Sequence, residues 1–344
     1  MRSWGASGWW PTPRNSGRSD NRSFFTDFNE PIHLCVISPP YPLRVTRGYG
    51  NVQEMQWVDF ITQTLEPIVK NLVPGGRVVL NVSNDIFESK LPSRSMYLER
   101  MVLALHDQLG LSLMGRWPWI NTSKPPSPTQ WACVNRVQLC SGWEPVYWFT
   151  NDPSCVRSDN RRVLLPHTDA HQHLMDAGGD HRVLSYGDGA YRLRGNAFGK
   201  QTQGRIPKNV IQRGHRCADT MGIRKVAKEL GLSPHPAMFP TDIPELAIRF
   251  LTEAGELVVD PFCGFNKSGL AAERNDRRWT ACDNILDVHQ AAGRDVHRFR
   301  WILDEPCDCN GGSKSRFSAK DSLFDEPRDS NTVLSPILHE SCRW

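Results

Sequence analysis

The chain has 344 residues, of which 39% are hydrophobic and 23% are charged, and its formal net charge is +4. This length permits one substantial core together with an inserted region or a smaller second domain. No apolar run approaches the roughly 20 residues needed to cross a bilayer, and the first thirty residues lack the apolar core of a signal peptide. The ten cysteines form no CxxC pair, which indicates reduced thiols rather than a disulfide framework. We therefore expect a cytoplasmic protein without a membrane partner.

Apolar periodicity in the first part of the chain predicts alternating strands and helices. The first strand ends at a double proline, which neither continues a helix nor donates hydrogen bonds to a sheet. Pro74-Gly75-Gly76 predicts a turn, and Gly110 predicts the end of a helix. The predicted strands are 32–37, 77–82, about 112–119 and 144–150, and the predicted helices are 55–72 and 95–109. This alternation favours an α/β fold with a largely parallel sheet and helices on both faces.

Regular periodicity resumes after His235 in the last third of the chain. The predicted helices there are 242–252, 267–274 and 288–301, and the predicted strands are 256–260 and 279–283. The ordered sequence thus falls into two halves, 31–150 and 233–303.

The region 151–232 separates these halves and lacks clear periodicity. Residues 151–235 contain 14 Lys and Arg against 8 Asp and Glu, an excess larger than the net charge of the whole chain. A long solvated surface insert and a region that reads DNA both fit this composition. The regions 1–30 and 304–344 also lack periodicity, and we expect an N-terminal arm and a flexible tail.

A buried strand runs into a glycine turn and a helix start in residues 257–269, LVVDPFCGFNKSG. Backbone N–H groups at such a helix start can hold the carboxylate of a bound amino acid, and Asn266 can adopt the left-handed conformation. Asp283 lies nineteen residues after Gly264, at the predicted end of the next strand, where a carboxylate typically binds ribose hydroxyls. The pattern indicates a nucleotide-type cofactor. A plain strand–turn–helix, with Asp283 as a helix cap, is the alternative.

Ser38-Pro39-Pro40-Tyr41 follows the first predicted strand, at the end of a strand where open α/β sheets bind ligands. An exocyclic amino group is a poor nucleophile because its lone pair is delocalised into the ring. A serine hydroxyl and a proline carbonyl that accept its two hydrogens would turn the nitrogen towards tetrahedral geometry and aim its lone pair at an electrophile. The prolines fix these acceptors in advance, and Tyr41 can stack on a base swung out of a duplex. An ordinary Pro-Pro turn is the alternative.

Together these motifs resemble the amino-methyltransferases of DNA in their permuted β class, where the catalytic motif precedes the cofactor loop. The resemblance extends from about Phe25 to Trp301 and is strongest to enzymes that methylate N4 of cytosine. It rests on SPPYPLRVTRGYGN (38–51), SKPPSPTQW (123–131), RIPKNVI (205–211), HPAMFPTDIPE (235–245) and DPFCGFNKSGLAAERNDRRW (260–279). Five ordered blocks with consistent spacing make chance a poor explanation.

The resemblance implies a Rossmann-like S-adenosyl-L-methionine-dependent methyltransferase fold, with a mixed, mostly parallel seven-stranded sheet and an inserted DNA-recognition region at 151–232. It implies S-adenosyl-L-methionine as cofactor and double-stranded DNA as substrate. It also implies a bacterial or phage restriction–modification system with a cognate endonuclease as functional partner, and a monomer or dimer. The residues implied to hold the flipped base are Ser38, Pro39, Pro40 and Tyr41, and those implied to surround the cofactor are Asp260, Phe262, Gly264, Asn266, Ser268 and Asp283.

Three positions depart from the family pattern. Phe265 and Lys267 stand where the relatives have Ser and Thr, so we expect the cofactor loop to be crowded or recharged. Asn81 stands where the relatives have a carboxylate, and a neutral amide cannot act as a general base. Because of these departures, a DNA-binding protein that lacks catalytic activity stays an alternative function. We call the segment Ser38 to Tyr41 the clamp. Adenine enzymes use the same chemistry but carry Asp or Asn at position 38, so N6-adenine methylation stays an alternative. Cytosine N4 is the leading hypothesis because Ser38 begins the clamp.

Two other kinds of site are disfavoured by the spacing of the residues that would form them. His167, His171, His173 and Cys155 match no standard zinc pattern, so no metal site is predicted. A cytosine-C5 methyltransferase needs a nucleophilic cysteine in its core after an N-terminal cofactor loop, whereas the one Pro-Cys pair, at 306–307, lies in the predicted tail.

Overall fold

A seven-stranded sheet organises the computed structural model, which describes residues 21–43, 52–187, 189, 191–229 and 238–283. The strands, in chain order, are β1 (Ile32–Ile37), β2 (Leu72–Asn81), β3 (Ser112–Ile120), β4 (Trp143–Thr150), β5 (Leu184–Tyr186), β6 (Tyr191–Leu193), β7 (Ile211–Gln212), β8 (Leu257–Asp260) and β9 (Arg278–Ala281). The strand order across the sheet is β7-β3-β4-β2-β1-β8-β9, and β5 and β6 form a separate hairpin. Within the sheet β4 alone runs antiparallel to its neighbours. The predicted mixed, mostly parallel sheet is thus confirmed.

Helices cover both faces of this sheet. The α-helices of the described residues are α1 (Asn21–Thr26), α2 (Glu54–Lys70), α3 (Tyr97–Leu109), α4 (Asp169–Asp176), α5 (Ala218–Glu229), α6 (Asp242–Leu251) and α7 (Lys267–Arg274). Short helices of other types lie at Thr129–Val134, Pro153–Cys155 and Asn160–Val163. None of the helices described is both long enough and apolar enough to span a membrane.

Alternate residues of each strand enter two separate cores. In β1, Cys35 and Ile37 face the core that α2 and α3 cover, whereas Leu34 and Val36 face the core that α6 and α7 cover. Successive side chains of a strand point to opposite faces, so a strand buried on both sides reads as a continuous apolar run. This explains why the central strands show no polar alternation in the sequence.

Each helix that covers the sheet packs on one of the two cores through the apolar side of its amphipathic surface. In α2, Trp57, Ile61, Leu65 and Ile68 recur at intervals of three or four residues and are all buried. Residues at this spacing share one face of a helix. The exposed faces carry the charges, as in the Lys70–Glu66 pair, in which Nζ lies 2.8 Å from Oε1.

Several predicted boundaries were wrong around the second strand. Leu72, predicted at the end of a helix, pairs with Ile32 in β2. The predicted turn at Pro74-Gly75-Gly76 lies inside the same strand, where the register shifts so that 72–77 of β2 oppose 32–34 of β1. A bulge of this kind accommodates the extra residues, and Gly75 adopts a φ of 72° there. Residues 73–76 have no partner in β1, so the predicted turn became an irregularity within the strand.

The predicted insert 151–232 is attached to the core at both ends. Near its start, Arg162 donates to the carbonyl of Thr252 at 3.1 Å and its own carbonyl accepts from Arg249 at 2.9 Å, which fixes it against α6. Near its end, β7 joins the main sheet beside β3, with Ile211 opposite Trp119. Its middle holds α4 and the β5–β6 hairpin. The predicted helix 288–301, the tail 304–344 and residues 1–20 of the arm lie outside the described residues.

Candidate active site

The sheet reverses its direction of winding between β1 and β8. These strands are adjacent and parallel, with Leu34 opposite Val258 and Cys35 opposite Val259. From β1 the chain passes through α2 to β2 on one side, and from β8 it passes through α7 to β9 on the other. In open α/β sheets such a reversal opens a crevice at the carboxyl ends of the strands, where ligands bind. Both motifs singled out in the sequence leave the sheet at this crevice.

The segment Ser38 to Tyr41 continues β1 into the crevice. Pro39 is buried, and the other three residues are half-buried. The indole Nε1 of Trp57 in α2 donates to the carbonyl of Pro40 at 2.8 Å. That bond engages the carbonyl of Pro40, which leaves the carbonyl of Pro39 as the candidate acceptor beside Ser38. The buried indole therefore holds the double-proline turn in one position.

Tyr41 connects the clamp to the neighbouring strands through its hydroxyl. The hydroxyl lies 3.2 Å from Oδ1 of Asn81 and 3.4 Å from Oε2 of Glu144, and Ser38 hydrogen-bonds to it. Burial and the negative charge of Glu144 raise the pKa of Tyr41 well above its usual range. Tyr41 therefore stays protonated and acts as a hydrogen-bond donor.

A short ionic network lies behind Glu144. Lys124 reaches it from the loop after β3, with Nζ 3.3 Å from Oε1 of Glu144 and 3.0 Å from Oδ2 of Asp85. Asp85 also pairs with Arg94, whose Nη1 lies 2.8 Å from Oδ1. Burial raises the pKa of Glu144, and the ammonium of Lys124 opposes that rise. Lys124 thus compensates two carboxylates that the fold has largely removed from water.

The cofactor loop predicted after β8 is held by the side chain of Asp260. This carboxylate is buried, with Oδ2 accepting from the hydroxyl of Ser268 at 2.6 Å and Oδ1 accepting from the N–H of Phe262 at 3.0 Å. Burial raises the pKa of Asp260 from 3.8 to about 7, although both hydrogen bonds favour its charged form. Asp260 and Ser268 thus hold the loop in place through hydrogen bonds.

The turn itself has the backbone geometry that the sequence predicted. Asn266 adopts a φ of 53°, and its Oδ1 accepts from the N–H of Gly269 at 3.0 Å, which caps α7. Gly264 has a φ of 49°, and no atom of the described residues lies within 4 Å of the position that a Cβ would take there. Its N–H donates to Oδ2 of Asp283 at 2.8 Å. An open space therefore borders Gly264, beside a carboxylate from the segment that follows β9.

The two unusual residues of this loop are both buried. Phe265 is 8% exposed. The ammonium of Lys267 bonds to the hydroxyl of Thr220 in α5 and, at 2.8 Å, to the carbonyl of Phe239, with Cys217 Sγ at 3.9 Å. Burial lowers the pKa of Lys267. Lys267 thus joins the end of the insert to the cofactor loop, a role that the sequence did not suggest.

The ten residues that the sequence proposed for the site lie at the ends of the adjacent strands β1 and β8 or in the segments that follow them, with Ser268 in α7 and Asp283 after β9. Sequence reasoning missed Glu144, Lys124, Asp85 and Trp57. Lys124 lies inside one of the blocks that carry the family resemblance, 123–131, which was a usable signal. No local pattern marks Glu144, because its contact depends on how β4 pairs with β2.

The sequence is similar to those of known DNA methylases. The profile of the DNA methylase family matches residues 32–293. Type II methyltransferase M.PvuII of Proteus hauseri is 32% identical over 251 residues, which cover 73% of this chain and 74% of that protein.

Two solved structures are similar to this chain. The structure titled PvuII DNA methyltransferase (cytosine-N4-specific) matches 84% of this chain and 92% of its own, with a TM-score of 0.61 and 26% identity. A putative DNA modification methylase from Thermus thermophilus, complexed with S-adenosyl-L-methionine, matches 83% of this chain and 95% of its own, with a TM-score of 0.48 and 18% identity.

Asp260 makes the stability of the fold depend on pH. A carboxyl whose pKa is about 7 when folded and near 3.8 when unfolded holds its proton longer in the folded state. Its contribution is therefore most favourable below pH 4 and is lost as the pH rises to 7. We expect wild type to lose stability relative to Asp260→Asn across this window, on the order of a few kcal/mol.

Thermal denaturation of both proteins between pH 4.5 and 8 measures this difference. The exposed Asp276, in the turn that leads to β9, gives the matched control Asp276→Asn. Parallel pH profiles for wild type and Asp260→Asn would show that Asp260 is not protonated in the folded state.

Proposed function

Because the chain belongs to the DNA methylase family, we propose that it is a site-specific methyltransferase that transfers a methyl group from S-adenosyl-L-methionine to N4 of a cytosine in double-stranded DNA. The observation that carries this proposal is the junction of two motifs at one crevice. The clamp that begins at Ser38 follows β1, and the loop with Gly264 follows the adjacent β8.

The clamp supplies what an aromatic amino group lacks as a nucleophile. The oxygen of Ser38 and the carbonyl of Pro39 would each accept one amino hydrogen, which turns the nitrogen lone pair out of the ring plane. Trp57 holds the adjacent carbonyl of Pro40, so both acceptors are fixed before the base arrives. Preorganised acceptors of this kind need no rearrangement during the reaction. Tyr41 would border the base on its ring face.

The loop after β8 fits S-adenosyl-L-methionine, which supplies an electrophilic methyl group on sulfonium sulfur. The open space at Gly264 admits a ligand close to the backbone, and N–H groups at the start of α7 suit its carboxylate. Asp283 would bind the ribose hydroxyls. Asp260, Phe262, Asn266 and Ser268 would keep the loop in this shape.

Cytosine is favoured over adenine by two independent observations. Ser38 begins the clamp, where adenine enzymes carry Asp or Asn. The similarity to M.PvuII and to the cytosine-N4-specific PvuII structure points to the same base. The type II name of that relative also favours a bacterial or phage restriction–modification system, with a cognate endonuclease as functional partner. Such an enzyme acts in the cytoplasm, where the DNA is.

Methylation with S-adenosyl-L-methionine that carries a CD3 group tests the cofactor and the target atom together. The DNA is digested to nucleosides, which are separated by chromatography and weighed. N4-trideuteromethyldeoxycytidine is expected. Labelled N6-methyldeoxyadenosine would transfer the proposal to adenine, and unlabelled nucleosides alone would show that the chain does not methylate DNA.

Ser38→Ala should slow methyl transfer without weakening cofactor binding. The hydroxyl acts on the amino group and not on the cofactor, so we expect a loss of rate on the order of 10²-fold, as for removal of one preorganised polar contact. Single-turnover methylation and calorimetric titration measure the two quantities. Ser154→Ala, on an exposed turn, is the control. A rate equal to wild type would remove Ser38 from the clamp.

We propose that the insert reads the DNA, since it carries the basic excess of the chain. Its β5–β6 hairpin carries the exposed Arg192 in β6, and the exposed Arg194 directly follows this strand. A two-stranded ribbon of this size fits the major groove. Arg161, by contrast, is committed to Asp159, with Nη2 2.7 Å from Oδ2.

Reversing both hairpin charges, Arg192→Glu with Arg194→Glu, should weaken DNA binding. If both arginines contact phosphates, binding to all sequences falls, and the slope of log affinity against log salt shrinks by about two. If one reads a guanine edge, specificity relaxes at one base pair. Fluorescence anisotropy at several salt concentrations measures both effects, with Arg161→Glu as control. Unchanged affinity would move recognition to another part of the chain.

A further inference from the structure

Methylation of an amino group releases a proton that another group must accept. Residue 81, where the relatives carry a carboxylate, cannot accept it in this chain. Once the nitrogen–methyl bond has formed and the sulfur–methyl bond has broken, the nitrogen is positively charged and must lose one proton. Residue 81 is a buried asparagine, whose amide Nδ2 donates weakly to the carbonyl of Pro145 at 3.5 Å. An amide does not take up a proton at neutral pH.

A carboxylate from another strand lies next to this asparagine. Because β4 runs antiparallel to β2 with Asn81 opposite Val146, the start of β4 lies at the carboxyl end of β2. Glu144, the second residue of β4, therefore reaches the clamp, with Oε2 3.4 Å from the hydroxyl of Tyr41. The same hydroxyl is hydrogen-bonded by Ser38.

These contacts form an unbroken line of hydrogen bonds from the clamp to a carboxylate. The side chains of Ser38 and Tyr41 share a hydrogen bond. Tyr41 donates towards Glu144 and Asn81. Each hydroxyl can accept one proton while it releases another, so neither changes its charge when a proton crosses the line.

The surroundings of Glu144 suit an acceptor that must be charged before the reaction and neutral after it. Its side chain is 14% exposed, and Lys124 at 3.3 Å favours its charged form. Asp85 from the segment after β2, and Tyr97 of α3, are the other titratable groups that face it, together with Tyr41. Asp85 is itself paired with Arg94, which limits its repulsion of Glu144.

We propose that Glu144 receives the proton released by the target amino group, through the hydroxyls of Ser38 and Tyr41. The amino proton moves to Ser38 Oγ, the Ser38 proton moves to the Tyr41 oxygen, and the Tyr41 proton moves to Oε2 of Glu144. The products are a neutral methylamino group and a neutral Glu144, which later releases its proton to water. Glu144 acts as a positioning and proton-accepting residue that does not touch the base. This inference rests on the proposed function.

Glu144→Gln tests the relay, because glutamine keeps the shape and the hydrogen bond of Glu144 but takes up no proton. We expect single-turnover methylation to slow by about 10²-fold, the usual scale of a general base. The wild-type rate should rise with pH as Glu144 ionises, and this limb should be absent from the variant. Affinities for DNA and cofactor and the thermal midpoint should stay unchanged. Glu66→Gln, exposed on α2, is the control.

Asn81→Asp in the Glu144→Gln background provides the rescue. Oδ1 of residue 81 lies 3.2 Å from the Tyr41 hydroxyl, so a carboxylate there can receive the same proton, and the double variant should recover rate and regain a pH limb. Recovery of the rate in the double variant, together with loss of the pH-dependent limb in Glu144→Gln, supports the relay. A Glu144→Gln rate equal to wild type, or a slower rate with the pH limb intact, would overturn it.

Tyr41→Phe keeps the proposal testable if Glu144→Gln does not fold. Removing the phenol breaks the line, so the pH limb should disappear; a retained limb would contradict the relay. Wild-type protein that forms no methylated nucleoside would instead refute the proposed function itself. The two failures are thereby distinguishable.

Discussion

The parallel pairing of β1 with β8 is the constraint on which the site depends. The clamp and the cofactor loop are more than 200 residues apart in the sequence, yet Cys35 lies opposite Val259 in neighbouring strands. Both strands are buried on two faces, so a slip by one residue would move every side chain into the wrong core. The register is therefore strongly determined, and with it the distance between the residues proposed to hold the base and those proposed to hold the cofactor.

Two carboxyl groups with little exposure lie at this crevice, and each has specific hydrogen-bonding or ionic partners. Asp260 receives hydrogen bonds from Ser268 and a backbone N–H, and Glu144 is paired with Lys124. An isolated buried charge would be very costly, whereas a paired and hydrogen-bonded one is tolerated. Such groups have shifted pKa values, which is typical of functional sites.

The last helix of the insert adds further contacts with the core. This helix, α5, carries Asp219, which forms a two-bond pair with Arg274 of α7 at 2.7 and 2.8 Å. Lys267, at the start of α7, bonds to Thr220 in the same helix. Both contacts reach the element that follows the cofactor loop. A proposed DNA-reading region fixed in this way keeps a defined geometry relative to the crevice, which methylation at one base of a site requires.

Local sequence signals were sufficient for much of the fold and for the two motifs. The apolar run 32–37 ending at a double proline, and the strand–turn–helix at 257–274, lie where they were predicted. Asn266 adopts the left-handed conformation that its position in the turn required. These features depend on residues adjacent in the chain, so periodicity and backbone stereochemistry were enough to identify them.

The tertiary structure alone decided which distant residues complete the site. Glu144 meets Tyr41 only because β4 runs antiparallel to β2, and no sequence pattern fixes that register. Lys267 looked like an extra charge in the cofactor loop, but packing directs its ammonium to α5. The turn predicted at Gly75 became an irregularity within β2, whose flanking residues Leu72 and Arg77 pair with β1. Contacts between strands and helices far apart in the chain depend on the packing of the whole sheet, and a local pattern does not carry that information.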